Sequence, residues 1–480
     1  MLIGMDVGGT NTDVAMVDDG ITSLKVPNTL GIRHVLGSIR RTGRLAVSTS
    51  TPLNRVLTGP PVKVQTILIP GPGLFWPGSI RGAVNHRGDI VEGIDREEVD
   101  VALADRGDVL AIAGKFSVRN PSLEQEVAAR ALHHYPEEKI SLSHPLCALN
   151  FPARVATTRL NARIREAVTR LTEEIGAEYR DFLFFKGDGG LIPPDYAVSN
   201  PSVLYRSSAA AVALGAYYLS GEAECLVVDF GGTTTDLVAL SGGRPVMETL
   251  VYDGGRTVTT AVAAESLPYG GDSLIEGGLC PTRVGNALAF GGNRPTLTDA
   301  LNATGCEIGD AASSRGITRL TGLEVLEEYY SHVSQAVEAH GARRLVGTGY
   351  LAPFLLPEIA RRTGAFMIIP PHWDCANAVG VAISRVSLTL YARFDSGRGL
   401  VVFNGEPEVL RKMGDDEAVL DRCREEVQQR ALAAGADPCD VEDVQVLFFH
   451  TYDVIRSAYR SARIADVVVQ IAPGITAEAP

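Results

Sequence analysis

The sequence lacks any apolar stretch long enough to cross a bilayer. Its longest stretch of small apolar residues, Ser207 to Ser220, is shorter than the roughly 20 residues that a membrane-spanning helix needs, and its alanines favour a buried helix. Met1-Leu2-Ile3-Gly4 has no basic start of the kind that a signal peptide carries. We therefore expect a cytoplasmic protein that has no membrane partner.

Positive charge and paired cysteines are also scarce. Lysine and arginine number 44 against 57 aspartate and glutamate residues, and the resulting net charge of −13 argues against a nucleic-acid partner. The seven cysteines are an odd number without Cys-x-x-Cys spacing, which argues against a disulfide framework or a zinc cluster. Cys225 and Cys375 lie beside motifs, but no activating base is near them in sequence, so we expect both in the core. His372 and Asp374 are expected to cap the helix that follows them; the alternative is that the two side chains bind a metal ion.

One glycine-threonine phrase is present twice. Asp6 to Asp13 reads Asp-Val-Gly-Gly-Thr-Asn-Thr-Asp, and Asp229 to Asp236 reads Asp-Phe-Gly-Gly-Thr-Thr-Thr-Asp. Each phrase follows a short apolar run, and a glycine pair lets the backbone turn tightly and present N–H groups to an anion, to which threonine hydroxyls add further donors. The candidate phosphate-binding residues are Gly8, Gly9, Thr10, Asn11, Thr12, Gly231, Gly232, Thr233, Thr234 and Thr235.

The aspartate that opens each phrase is a candidate metal ligand. A carboxylate repels phosphate, so Asp6 and Asp229 are suited to hold a hydrated Mg²⁺ that neutralises phosphate oxygens. Two such turns, one in each half of the chain, predict a nucleotide gripped from both sides.

This arrangement resembles the actin, sugar-kinase and Hsp70 superfamily and, more narrowly, the hydantoinase/oxoprolinase family, nearly end to end. The further phrases that carry the narrower resemblance are His86-Arg87-Gly88, Phe116-Ser117-Val118-Arg119-Asn120-Pro121 with Glu124, Asp188-Gly189-Gly190, Gly270-Gly271-Asp272-Ser273, Arg294 to Ala300, Cys375-Ala376-Asn377-Ala378-Val379-Gly380, and Gln470 to Gly474. The resemblance implies an α/β fold with two actin-like or ribonuclease H-like lobes around a nucleotide cleft. It also implies ATP and Mg²⁺ as cofactors.

The position of the two phrases predicts the domain organisation. We expect a first lobe over residues 1–220, with an α/β insertion at about 62–145, and a second lobe over residues 221–395. A small α+β appendage is expected over residues 396–480. Smaller elements are also predicted: a hairpin turn at Asp18-Asp19-Gly20, a helix from Cys375 to Ser387, a helix from Asp416 to Ala434, and strands from Val444 to Phe449 and from Ala465 to Ile471.

Two further sets of residues are candidates for the site. By resemblance to the superfamily, Gly347, Thr348 and Gly349 form a turn against the adenosine. Asp188 and Asp272 are candidate catalytic residues that orient the acceptor or its water. The alternative for both aspartates is turn formation beside glycine, which Asp favours anyway.

The family resemblance implies ATP-dependent opening of a small cyclic amide, such as hydantoin or 5-oxoproline, through phosphorylation of the carbonyl oxygen. Three alternatives stay open: a small-molecule kinase, an ATP-using chain that works with a second hydrolase or carboxylase subunit, and a nucleotide-gated binding protein without chemistry. We also expect a homo-oligomer.

Overall fold

The structure is a computed structural model that describes residues 1–39, 43–57, 59–456 and 459–480. The strands in chain order are β1 (Leu2–Val7), β2 (Asn11–Val17), β3 (Ile21–Pro27), β4 (Arg44–Thr49), β5 (Val64–Ile69), β6 (Ala83–Val84), β7 (Ile90–Glu92), β8 (Val109–Gly114), β9 (Ile140–Leu142), β10 (Phe182–Phe185), β11 (Leu191–Ile192), β12 (Cys225–Phe230), β13 (Thr235–Ser241), β14 (Arg244–Pro245), β15 (Met247–Tyr252), β16 (Gly255–Val262), β17 (Ala264–Leu267), β18 (Ser273–Ile275), β19 (Leu279–Arg283), β20 (Arg344–Thr348), β21 (Phe366–Ile368), β22 (Thr389–Asp395), β23 (Leu400–Phe403), β24 (Glu406–Val409), β25 (Val444–Arg456) and β26 (Tyr459–Ile471).

The helices in chain order are α1 (Ile32–Ser38), α2 (Thr51–Leu57), α3 (Arg96–Ala104), α4 (Ser122–Ala131), α5 (Phe151–Gly176), α6 (Pro194–Ser199), α7 (Ser207–Ser220), α8 (Leu297–Ala303), α9 (Arg319–Ala339), α10 (Ala352–Thr363), α11 (Ala376–Ala382) and α12 (Asp416–Ala433). Within the described ranges, none of these helices is both long and apolar enough to span a bilayer.

The same strand arrangement is built twice. The first sheet has the order β11-β10-β4-β1-β2-β3, and the second has the order β14-β13-β12-β20-β21. In each, the strand before the glycine turn pairs antiparallel with the strand after it, and parallel with the next strand on its other side. The predicted hairpin turn at Asp18-Asp19-Gly20 is confirmed by the pairing of Val17 with Ile21. This repeated order confirms the predicted fold of two actin-like lobes.

The predicted insertion contains a separate sheet. Strands β5, β8 and β9 are parallel and pack with α3 and α4 around their own core, which includes Ile67, Ile112, Leu123 and Val127. The boundaries predicted for this insertion and for the two lobes stay predictions, because a sheet assignment does not by itself define a folding unit.

The last part of the chain forms a mixed layer of sheet and helix. Its strands have the order β24-β23-β22-β26-β25, and α12 packs on the sheet through buried Val419, Cys423 and Val427. The predicted helix from Asp416 to Ala434 agrees with α12 to within one residue. The predicted strands from Val444 to Phe449 and from Ala465 to Ile471 were too short, because β25 and β26 pair with each other along most of their lengths, with two shifts in register.

Helices α7 and α11 cross at very short range. A methyl group on Gly215 of α7 would come within 1.8 Å of the Ala376 carbonyl oxygen, and one on Gly380 of α11 within 1.9 Å of the Ala211 carbonyl oxygen. Glycine is therefore required on both helices. Because α11 also packs on β1, through Gly4, the crossing joins the two halves of the chain.

The predicted helix from Cys375 to Ser387 begins within one residue of α11 but extends too far at its C-terminal end. A 3₁₀ turn occupies Trp373–Cys375, and α11 ends at Ala382. After Ala382 the backbone forms isolated β-bridges with distant segments: Ser384 pairs with Ile475, and Val386 pairs with Leu191. Long-range pairing thus ends a helix that the local sequence would continue.

The helix crossing generates the first prediction. Replacing Gly215 with alanine is expected to lower the free energy of unfolding by about 1–3 kcal/mol, because the added methyl overlaps a backbone carbonyl that cannot rotate away. Urea denaturation measures the change. The matched control is Gly37→Ala in α1, where an added methyl meets nothing within 4 Å and alanine should stabilise the helix by ~0.5–1 kcal/mol. Equal stability of Gly215→Ala and wild type would contradict the close crossing.

Candidate functional site

The two glycine turns have the same geometry. In the first, the Gly8 amide donates to the Asn11 carbonyl oxygen at 3.1 Å, and in the second, the Gly231 amide donates to the Thr234 carbonyl oxygen at 3.0 Å. A methyl group on Gly8 or Gly231 would lie 2.9 or 3.0 Å from that same oxygen, which explains a glycine at each position.

The tips of both turns carry available donors. Across the described residues, the amides of Gly9, Thr10, Gly232 and Thr233 donate to no protein acceptor. Gly9, Gly232 and Thr233 are exposed, and Thr10 is half-buried. Successive amides of this kind form a concave anion site, so the turns are suited to bind phosphate oxygens.

Asp6 is held by three side chains from distant parts of the sequence. Its Oδ1 accepts from the Ser48 hydroxyl and, at 2.8 Å, from the Ser208 hydroxyl of α7, while its Oδ2 accepts from Asn377 Nδ2 of α11 at 2.9 Å. Burial raises the pKa of Asp6, and these hydrogen bonds oppose the rise. The carboxylate is therefore fixed in position before any ligand arrives.

Asn377 also joins Asp6 to a second carboxylate. The same Nδ2 donates to Asp13 Oδ2 at 3.0 Å, and Asp13 Oδ1 accepts from Lys25 Nζ at 2.7 Å. Asn377 lies in one of the family phrases, but neither its contacts with these carboxylates nor a role for Lys25 was predicted from the sequence. The signal for Lys25 was the short hairpin, which puts it directly opposite Asp13 in the β2–β3 register.

Asp229 is the counterpart of Asp6 in the second lobe. Its Oδ1 accepts from the Thr348 hydroxyl at 2.7 Å. Burial raises the pKa of Asp229 to about 7; Thr348 and Lys25 act against the rise, while the charges of Asp236 and Asp6 add to it. The charges of Asp6 and Lys25 in the first lobe thus reach Asp229, so the two turns lie within electrostatic range of each other.

The five threonines of the turns differ in their contacts, and the Thr234 hydroxyl donates to Asp236 Oδ2 at 3.1 Å. The Thr12 hydroxyl donates to Asn28 Oδ1 at 2.9 Å and the Thr235 hydroxyl donates to the Tyr269 carbonyl oxygen at 2.8 Å, and both side chains are buried. These hydroxyls stabilise the turns. Thr10 and Thr233 are the more accessible pair and the better candidates to reach a phosphate, an assignment that stays a prediction.

The residues that are proposed to contact adenosine, Gly347 to Gly349, also have structural roles. Gly347 is buried in β20, where a methyl group would meet Leu356 at 2.7 Å, and Thr348 holds Asp229. Gly349, with φ of 80°, lies so close to Phe230 that a methyl group would come within 2.5 Å of its carbonyl oxygen. Contact of these residues with adenosine stays a prediction.

The two candidate catalytic aspartates lie on opposite lobes. Asp188 accepts from Lys186 Nζ at 2.8 Å and from the Gly190 amide at 3.0 Å, so it does form the turn that its sequence favours. Asp272 forms an ion pair with Arg283 Nε at 3.0 Å, and its Oδ2 lies only 2.8 Å from where a methyl group on Gly232 would be. Burial raises the pKa of Asp272. Asp272 thus abuts the second phosphate turn.

The oxygen donors fit magnesium as part of a nucleotide complex. Over the ranges that the structure describes, no three His, Cys, Asp or Glu side chains converge on a common metal position, including the neighbourhood of His372 and Asp374. Mg²⁺ commonly takes one or two protein carboxylates and completes its shell with phosphates and water. Asp6 and Asp229 would supply such carboxylates.

Neither cysteine beside a motif is a nucleophile. Cys225 and Cys375 are both buried, and burial raises the pKa of the Cys225 thiol to about 12 and that of Cys375 to about 11. Both thiols are therefore protonated at neutral pH, in agreement with the core positions predicted for them.

The buried carboxyl of Asp229 generates a pH prediction. Its pKa of about 7 lies above the ordinary value of 3.8, so the folded state binds the proton more tightly than the unfolded chain. The stability that this proton confers is lost as pH rises from about 4 to about 7. Asp229→Asn, which keeps an oxygen for Thr348, should escape this loss and become more stable than wild type with rising pH, by up to ~4 kcal/mol. Urea denaturation without nucleotide measures it; a stability difference independent of pH would contradict the perturbed carboxyl.

The comparisons with known proteins agree with the fold and with the predicted family resemblance. The hydantoinase/oxoprolinase family model matches residues 154–308. A search of curated proteins found no matching relative. Among solved structures, an acetone carboxylase in its nucleotide-free form superposes with a TM-score of 0.73 at 15% identity, covering 100% of this chain and 88% of that chain.

A second solved structure, the ATP-dependent caprolactamase from Pseudomonas jessenii, superposes with a TM-score of 0.62 at 18% identity, covering 98% of this chain and 87% of that chain. Identities this low establish a shared fold and leave activity to be tested. Over residues 154–308 the chain is therefore similar to the hydantoinase/oxoprolinase family, and the duplicated strand-turn-strand units give it a two-lobed actin-like fold.

Proposed function

We propose that the protein is an ATP-dependent enzyme that phosphorylates the carbonyl oxygen of a small cyclic amide and thereby opens the ring. The observation that carries the proposal is the pair of glycine turns, each with unpaired amides and a buried aspartate, facing one cleft from two lobes. The family match over residues 154–308 and the caprolactamase neighbour support a cyclic amide as the substrate class.

Each lobe has a distinct task at the phosphates. The amides of Gly9 and Thr10 bind phosphate oxygens from one side, and those of Gly232 and Thr233 bind from the other. Asp6 and Asp229 hold Mg²⁺, and Lys25, fixed by Asp13, adds a positive charge to the cleft. Bound Mg²⁺ supplies neutralisation of phosphate charge. Ser208, Asn377 and Thr348 fix the carboxylates of Asp6 and Asp229 before the nucleotide binds. Little free energy is therefore spent on reorganising these carboxylates during the reaction.

The chemistry follows from the weakness of an amide carbonyl as an electrophile. The carbonyl oxygen attacks the terminal phosphorus, and the bond to the ADP oxygen breaks. Water then adds to the activated carbon, the C–N bond breaks with a proton delivered to nitrogen, and a second water hydrolyses the resulting acyl phosphate to carboxylate and phosphate. We assign Asp272, which lies beside the second turn, to the orientation of water, and Lys186 with Asp188 to binding of the acceptor.

A carboxylase subunit is the second candidate function. The acetone carboxylase neighbour matches over the full length of this chain, and its substrate is also a carbonyl compound. Phosphorylation of a carbonyl oxygen would be the shared first step. In that case a partner subunit would take over after phosphorylation, and this chain alone would not open a ring.

Product analysis separates the candidates. The purified chain is incubated with Mg²⁺-ATP and hydantoin, 5-oxoproline or caprolactam, and ADP, phosphate and ring-opened product are quantified. We expect one of these lactams to stimulate phosphate release with an equal amount of opened ring. A phosphorylated organic product would indicate a kinase instead, and ATP turnover that no lactam changes would contradict the cyclic-amide proposal.

The metal-binding carboxylate generates a prediction about rate. Asp229→Asn is expected to lower kcat/KM for Mg²⁺-ATP by at least about 100-fold, because a charged ligand of the phosphate-bound cation is lost. Steady-state phosphate release measures it. The matched control is Asp19→Asn, an exposed turn residue of the first hairpin, which should keep wild-type kinetics. Wild-type kcat/KM in Asp229→Asn would contradict the assignment of Asp229 as a ligand of Mg²⁺.

A further inference from the structure

A cavity of about 670 Å³ lies between the insertion and the C-terminal sheet. Its walls come from the segments around Arg87, Arg119 and His144 on one side, and from β22 to β24 on the other. None of the residues of the two glycine turns lines it, and neither do Asp188 and Asp272. The cavity is therefore separate from the proposed nucleotide site.

Two family phrases that the proposed function leaves without a role meet at this cavity. Asn120 Nδ2, from the second phrase, donates to the Gly88 carbonyl oxygen of the first at 2.9 Å. Gly88 has φ of 91°, and a methyl group there would come within 3.0 Å of the Arg119 carbonyl oxygen. The close contact of these phrases sets the position of Arg119 in the wall.

Two arginines of the cavity wall share one carboxylate. Arg119 Nη1 contacts Asp466 Oδ1 at 3.0 Å, and Arg393 Nη1 contacts both oxygens of the same carboxylate at 2.8 Å. The pair of guanidinium groups therefore carries one positive charge more than Asp466 neutralises. In the described part of the chain, each of these arginines reaches its protein acceptors through Nη1 alone.

The carboxylates of the lining have other partners. Asp395 accepts from the backbone amides of Gly397 at 3.0 Å and Arg398 at 3.2 Å, so it closes its own turn. Glu406 is paired with Arg430 at 3.1 Å. Neither acid neutralises the Arg119 and Arg393 pair.

His144 adds a third polar group in a fixed orientation. Its Nδ1 lies 2.8 Å from Glu124 Oε2, and Glu124 is completely buried. Burial acts to raise the pKa of Glu124, but hydrogen bonds from His144, Ser143 and the Gly114 amide outweigh it and hold the pKa below its usual value. The ionised carboxylate keeps the proton on Nδ1, so Nε2 is the ring nitrogen left for the cavity.

Part of the remaining wall is apolar, beside polar residues such as Asn120, Gln125 and Asn404. Val118, Pro121, Leu400 and Val402 line the cavity together with the charged groups. A pocket with one cationic end and an apolar wall favours a ligand of matching character, with an anionic head and a hydrocarbon body.

We propose that this cavity binds a small organic carboxylate with an apolar body, whose carboxylate contacts Arg119 and Arg393 and whose second polar contact is His144. Guanidinium groups suit this ligand because their planar N–H pairs match the two oxygens of a carboxylate. The site is independent of the cleft between the lobes and of the reaction proposed there.

Binding of sodium hexanoate to the full chain tests the proposal, with hexanamide as the uncharged probe of the same shape. Isothermal titration is carried out with the nucleotide cleft saturated by a non-hydrolysable ATP analogue and Mg²⁺, and again without them. We expect saturable hexanoate binding with a dissociation constant of about 1 mM or tighter, unchanged by the nucleotide, and binding of hexanamide at least about tenfold weaker.

Substitutions in the cavity wall test whether hexanoate binds in this cavity. Arg119→Gln and Arg393→Gln should each weaken hexanoate binding by at least about tenfold, whereas Arg361→Gln, an exposed arginine on α10, should leave it unchanged. Because the first two changes also disturb the pair with Asp466, Val402→Trp serves as a second test that fills the cavity without touching an ion pair. It too should abolish binding.

The proposal would be overturned by the absence of saturable hexanoate binding, by equal binding of hexanoate and hexanamide, or by wild-type affinity in Val402→Trp. Displacement of hexanoate by the nucleotide analogue would also overturn it, because the ligand would then be in the cleft. ATP turnover is measured separately, so failure of this site and failure of the proposed function give different results.

Discussion

The close crossing of α7 and α11 is the constraint on which the site depends. Gly215 and Gly380 allow each helix to approach the other's backbone, and no larger side chain fits at either position. The crossing brings Ser208 of α7 and Asn377 of α11 onto the same carboxylate, that of Asp6. A packing contact between two apolar helices thus determines the geometry of a polar group that neither helix contains.

Burial of carboxylates is the energetic cost of this arrangement. Burial raises the pKa of Asp6, Asp229 and Asp236 above its ordinary value, and the hydrogen bonds to them recover only part of the lost hydration. Lys25 is the cation of the first lobe whose charge reaches Asp229 in the second. A cleft rich in buried negative charge is a favourable place for a divalent cation, whose binding would stabilise the folded chain.

The repeated phrases were enough to predict the two-lobed fold, because each marks the same strand-turn-strand unit, and local patterns of apolar residues predicted most elements. Features set by long-range contacts were missed. Asn377 reaches Asp6 across 371 positions, and the end of α11 depends on a bridge between Val386 and Leu191. One phosphate-binding role was predicted for all the turn threonines, whereas burial separates Thr12 and Thr235 from Thr10 and Thr233. Local patterns do not show which hydroxyl will form a hydrogen bond within the folded protein.

In the proposed function, the two glycine turns grip one nucleotide between the lobes. A crystal structure of the chain with Mg²⁺ and a non-hydrolysable ATP analogue is the decisive measurement. We expect the terminal phosphates within hydrogen-bond distance of the amides of Gly9, Thr10, Gly232 and Thr233, with Mg²⁺ between the phosphates and the carboxylates of Asp6 and Asp229. A nucleotide bound at any other place on the chain, or phosphates held by one lobe alone, would contradict it.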